Sequence, residues 1–184
     1  MNTINPSRVI QEKLAAGMGL DKYAFIEEQI DKVDVSADDN FQKIFNGFYR
    51  VRRNEEWRKH YYKLFEKAKH SGKADFSYLL DEMYRLTGNV EASFVSKMVA
   101  TLNPRMPIWD KYVVQNLQFK VPAISDPERI QKVKEIYMEI VLWYDSFLKT
   151  DNAKECLQKF DETLPDYVWL SDVKKIDFYL WSIR

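Results

Sequence analysis

Three groups of residues in this 184-residue chain have the types and spacing to do chemistry. The first runs from Lys43 to Lys73, where ten bases stand against Glu55, Glu56 and Glu66, a local charge of plus seven. Tyr49, Trp57, Tyr61 and Tyr62 lie between those bases, and a basic face interleaved with aromatics is the composition of a phosphate-contacting surface. Arg50, Arg52, Arg53, Arg58 and Lys59 are its candidate contacts. The second group is the turn Leu86-Thr87-Gly88-Asn89-Val90, in which Gly88 and Asn89 would bring backbone close to an anion. The third is Pro107-Ile108-Trp109-Asp110-Lys111-Tyr112-Val113, with a carboxylate just ahead of an apolar periodic run. Asp110 reads either as an N-cap or as an acid placed for catalysis, and both can hold at once.

The elements that must position these residues read as helices. Apolar residues recur three and four apart at Tyr23, Ile26, Ile30 and Val33, then at Phe41, Ile44, Phe45 and Phe48, then from Trp57 to Ala68 before His70-Ser71-Gly72. Phe76 to Met83 predicts a helix stopped at Thr87-Gly88-Asn89, and Val95 to Leu102 one stopped at Asn103-Pro104, so the two form a helical hairpin. A further short helix is expected over Ile108 to Leu117. Ser125-Asp126-Pro127-Glu128 reads as a capping box opening the long run from Ile130 to Leu148. Ala153 to Leu164 ends at Pro165, and Ser171 caps a last helix with Val173, Ile176, Leu180 and Ile183 inward. No stretch alternates with period two, and connections of ordinary length give about seven to nine helices. The expected fold is all-α, a single compact multi-helix domain over residues 1–184.

Composition narrows the function classes. Lys+Arg and Asp+Glu are both 28, so a protein that coats a polyanion through net charge is excluded and nucleic-acid contact must be local. The adjoining segment Asp21 to Gln42 has seven acids against two bases, so the basic stretch either meets an external anion or pairs inside the fold. One cysteine, Cys156, and two histidines supply no disulfide and no zinc ligand set, which fits a reducing cytoplasm. No cofactor and no metal are expected. Met1 to Leu20 has no export signature, since Ala15 and Ala16 are followed by Gly17, and no run approaches the roughly 20 apolar residues of a membrane span.

The order of elements over residues 76–117, helix, tight turn, helix, loop, then Asp110-Lys111-Tyr112-Val113 opening a third helix, resembles the helix-hairpin-helix segment of the DNA base-excision glycosylases. The resemblance implies a helix-hairpin-helix-like core, a double-stranded DNA partner, phosphate contact near Gly88 and Asn89, and Asp110 as the acid that assists water in cleaving a base–sugar N-glycosidic bond. Trp109 and Tyr112, beside that acid, would stack a base. Thr87 and Val90 stand where the family turn carries proline and a second glycine. No lysine lies between Ala74 and Ser96, so the implied chemistry is hydrolysis without lyase activity, and one cysteine cannot ligate an iron–sulfur cluster. The alternative is a helical interaction protein that keeps the fold without the chemistry and meets a protein partner through its basic helix. Asp177, on the inward stripe of the last helix, is expected in a buried ion pair with an arginine of the Arg50–Arg53 run. His60 and His70 are expected to face solvent.

Overall fold

The computed structural model describes residues 3–10 and 19–183. Lys13 and Ala15 to Gly17, on which the reading of the N-terminal segment rests, lie outside the described residues. Among the described residues there is no strand, as the apolar spacing predicts, and there are ten α-helices rather than the expected seven to nine or so, the four-residue Pro6–Val9 among them. In chain order they are α1 (Pro6–Val9), α2 (Leu20–Gln29), α3 (Asp39–Tyr49), α4 (Glu55–Ser71), α5 (Phe76–Thr87), α6 (Ala92–Leu102), α7 (Lys111–Asn116), α8 (Arg129–Phe147), α9 (Asp151–Thr163) and α10 (Asp172–Ser182), with a 3₁₀ turn at Pro165–Tyr167. The chain's contacts gather into two units, one of Gly19–Asn103 and one of Met1–Met18 with Pro104–Arg184. The boundary falls where Pro104 forbids α6 to continue.

In the Gly19–Asn103 unit the aromatic stripe of α3 is core. Phe45 is fully buried, with Tyr49, Phe65, Tyr62 and Tyr61 at ring-centroid distances of 4.7, 5.6, 6.0 and 6.1 Å. Tilted and edge-on pairs of this kind add about 0.5–1.5 kcal/mol each beyond the area they bury. The helices begin at side-chain caps: Asp38 accepts from the Phe41 N–H, Asn54 from Trp57 and Asp75 from Tyr78. Those bonds satisfy donors that have no partner within the helix. Gly72 and Gly88 end α4 and α5 in the left-handed conformation, at φ 63° and 69°.

The other unit is organised on α10, where every residue from Val173 to Leu180 is buried, three of them charged. Asn116 of α7 donates to the carbonyls of Leu180 and Ile183, closing the C-terminus of α10. Asn152 exchanges two hydrogen bonds with the backbone of Ile4, which ties the segment before α1 to α9. Ser171 caps α10 as expected. The start of α8 differs from the expected capping box: Ser125 is not the cap, and Asp126 instead accepts from the Glu128 N–H in a turn and pairs with Lys132. The early Pro127 leaves room for this turn before the helix opens at Arg129.

Candidate functional site

The structure brings part of the basic stretch and the Gly88 turn together. A pocket of about 430 Å³ lies between the start of α4 and the end of α5, lined by Arg52, Arg53, Asn54, Glu56, Trp57, His60, Leu86, Thr87 and Asn89. Arg52 and Arg53 arrive on the short link between α3 and α4, and His60 lies one helical turn beyond Glu56 on the same face of α4.

Arg53 is fixed from behind. Its guanidinium donates to Glu91 Oε2 at 2.8 Å and lies 5.5 and 5.3 Å from the ring centres of Trp57 and Phe94. Glu91 is 5% exposed, and its Oε1 accepts the Trp57 indole N–H at 3.1 Å. A buried carboxylate with both oxygens engaged thus holds one face of the arginine and leaves the remaining guanidinium donors without an acceptor among the described residues. Arg52 and His60 make no hydrogen bond or ion pair among the described residues. Glu56 is the one acid among the lining residues.

The other predicted phosphate contacts serve the local structure. Arg58 donates to the Arg53 carbonyl at 2.8 Å and so braces the link that carries the pocket arginines. Lys59 pairs with Glu55 at 2.7 Å on the open surface, a contact worth little in water. Arg50 closes α3 in the left-handed conformation at φ 54°. The Gly88 N–H, expected to face an anion, donates to the Tyr84 carbonyl at 2.8 Å, and the Asn89 N–H and side chain both bond to Thr87. The turn therefore shapes the wall of the pocket, while the arginine and histidine side chains carry its unused donors.

Asp110 belongs to the other unit. It is half-buried and caps α7, its Oδ1 accepting from the Tyr112 N–H at 2.8 Å, while its Oδ2 has no donor among the described residues. The base-stacking assignment to Trp109 meets a packing obstacle, because that ring is 6% exposed and is part of the core. Tyr112 is half-buried, with the Lys111 ammonium 5.9 Å from its ring centre.

Asp177 is buried in an ion pair as expected, but with a different partner. Its Oδ2 accepts from Lys174 at 3.0 Å and its Oδ1 from the Tyr144 hydroxyl at 2.6 Å, with all three side chains buried. Of the Arg50–Arg53 run expected to supply the partner, Arg53 is committed to Glu91. Lys174 precedes Asp177 by three residues and so shares its helix face, which supplies a cation from the same helix. The Ile108 N–H also bonds to Asp177, which anchors the Pro107–Asp110 segment, yet burial still pushes the Asp177 carboxyl above its ordinary value.

Sequence reasoning set aside His60 and gave Glu91, which stands roughly where the family's nucleophile would be, no part in holding Arg53 and Trp57. The available signal for Glu91 was its position directly ahead of the apolar run that opens α6, where a long carboxylate folds back onto the preceding core. His70, expected to face solvent, does so but pairs with Glu66 four residues earlier at 2.7 Å. A second cavity, of about 470 Å³, is lined by Asp31, Lys32, Val33, Asp34, Glu66, Lys69 and His70. Its cations are already engaged: Lys69 serves the carbonyls of Ile30 and Val33 and pairs with Glu66, and Lys32 pairs with Glu28. The acidic and basic segments thus meet through main-chain groups, and this cavity offers an anion no spare donor of that kind. Lys97 is buried as well, with its ammonium against Ser93, the Tyr49 carbonyl and the Phe94 ring. Among the described residues no cluster of His, Cys, Asp and Glu could hold a metal ion, and no helix is long and apolar enough to cross a membrane. Comparison with protein-family models, with curated proteins and with solved structures finds no match to this chain.

Proposed function

We propose that this protein binds DNA through phosphate contacts at the pocket of Arg52, Arg53 and His60. The observation that carries the reading is the unpaired state of Arg52 beside an Arg53 already oriented by a buried carboxylate. A surface arginine that only solvates a helix needs no such support, whereas an arginine held in place loses less entropy on meeting an anion. The test is the affinity for a short DNA duplex as a function of salt. Each phosphate neutralised contributes about −0.9 to the slope of log affinity against log salt, so Arg52→Ala flattens that slope by roughly one. Binding that ignores salt, or an unchanged slope in the variant, refutes the reading. An acidic protein captured in place of DNA would support the interaction-protein alternative.

The hydrolytic part of the proposal rests on Asp110, favoured by its free Oδ2 on a carboxylate already oriented by its cap bond. Such an oxygen can accept a proton from water and stabilise positive charge developing on a sugar as its base departs. Asp110→Asn keeps the capping acceptor and removes the charge, so base release from damaged or mismatched duplexes should be lost while the fold remains. Activity equal to that of the parent protein rejects the assignment.

A further inference from the structure

We infer that DNA binding at the α4–α5 pocket is linked to a proton on His60: the imidazole is charged as a phosphate seats beside it, so affinity rises as the pH falls. The inference adds a means of regulation to the DNA-binding reading and rests on it. His60 is half-buried in the lining and makes no hydrogen bond or ion pair among the described residues. The two histidines of the chain each follow a glutamate by four residues on α4, yet they behave differently. His70 reaches Glu66 at 2.7 Å, whereas His60 makes no such pair with Glu56 and lines the pocket instead. A neutral imidazole offers one donor and one acceptor; an imidazolium offers two donors and a positive charge, the form suited to an oxyanion. The charged groups that share the lining are Arg52 and Arg53 from the α3–α4 link and Glu56 from α4. Lys63 lies three residues on along α4, and α5 contributes only the uncharged Leu86 and Thr87 to the lining. Glu91, ahead of α6, is spent on Arg53 and Trp57. A phosphate drawn in by the arginines is then the acceptor that His60 does not find in the protein. A charge of opposite sign within about 4–6 Å favours the protonated form, commonly by about one pH unit or more. The affinity gained in this way is complete below the titration of the free imidazole and is lost as the pH rises through that of the bound one. Imidazoles in general titrate near about pH 6.5, which places the response between about pH 5.5 and 8.

The experiment follows the fluorescence anisotropy of one short labelled DNA duplex with the full chain, at constant ionic strength, from about pH 8 down to about pH 5.5, a window above the ordinary carboxylate range. The parent protein is expected to bind roughly five- to tenfold more tightly at the lower pH, the gain that follows when binding raises the imidazole midpoint by about one pH unit. His60→Gln keeps a polar side chain without the titration and should flatten the response, while His70→Gln, outside the pocket on the same helix, should retain it; circular dichroism checks that both variants keep their helices. The parent protein gives a second readout, because two histidines can be titrated separately by their ring resonances. The His60 midpoint should rise on saturation with the duplex and the His70 midpoint should stay. Affinity that is equal at both pH values with its salt dependence retained, a response that survives in His60→Gln, or a His60 midpoint that does not move overturns the proton linkage and leaves the DNA-binding reading standing. Absence of salt-dependent binding at either pH overturns both.

Discussion

Glu91→Gln separates the two roles assigned to the buried carboxylate, bracing Trp57 and aiming Arg53. The amide keeps Oε1 for the Trp57 indole N–H, which lies 3.1 Å away, but turns an N–H₂ toward the Arg53 nitrogen now 2.8 Å from Oε2. A hydrogen bond between charged groups contributes about 1.5–3 kcal/mol. Arg53 is 40% exposed, so water screens part of that, and the loss should be about 1–2 kcal/mol. Glu91→Ala also strands the indole N–H in an apolar site and opens a cavity, which raises the cost to about 3–4 kcal/mol. Urea denaturation followed by both tryptophan fluorescence and circular dichroism reads these values, and agreement of the two probes licenses a single free energy. Duplex binding gives the sharper result. Removing a negative charge near the pocket should strengthen attraction for DNA if simple charge governs, whereas loss of Arg53 orientation should weaken binding roughly two- to tenfold, the scale of re-ordering one long side chain. Tighter binding by Glu91→Gln, or equal destabilisation by Gln and Ala, refutes the positioning argument.

Gly88→Ala should cost about 1 kcal/mol through the left-handed φ of 69° alone, because nothing lies within 4 Å of the added carbon. Its duplex affinity should be unchanged, since the Gly88 N–H already serves Tyr84, and a large affinity loss in a folded variant would restore this turn as a phosphate contact. The Asp177 carboxyl is raised by burial above its ordinary 3.8, so the folded protein holds that proton longer than the unfolded chain does. The stability of the parent protein relative to Asp177→Asn should accordingly be greatest below about pH 4 and decline as pH rises through the raised value; urea midpoints that diverge in the opposite sense would show that Lys174 outweighs burial. Burial pushes the Cys156 thiol up to about 12, so alkylation of the native protein at neutral pH should be slow and become fast in denaturant. Rapid modification of the folded chain would contradict that burial.

The helical order was legible because it is written locally. Caps such as Asn54 and Asp75, terminating glycines such as Gly72 and Gly88, and the stripe of Phe41, Phe45 and Phe48 each act within one or two turns. The convergence of Arg52 and Arg53 with Asn89 was visible only as two separate hints, because their meeting depends on the packing of α4 against α5. Asp177 was read as buried from its place on the inward stripe, but Lys174 was not read as its partner, because a lysine reads as solvated and only the surroundings of α10 reveal it as core. Trp109 was misread for a related reason. Its place beside Asp110 made it a candidate for stacking, while its ring is spent on packing. Four residues on, the Glu66–His70 pair could have been read from helical spacing and was not.

The five tryptophans give the central claim a direct readout, because each indole N–H contributes its own resonance in a ¹H–¹⁵N correlation spectrum. Titration with a short DNA duplex should move the Trp57 indole signal, which reports on Glu91 and Arg53, together with the His60 ring signals, while the buried Trp109 indole stays in place. A Trp57 signal that remains fixed as the duplex saturates the protein, or movement confined to residues outside the α4–α5 pocket, would contradict the account.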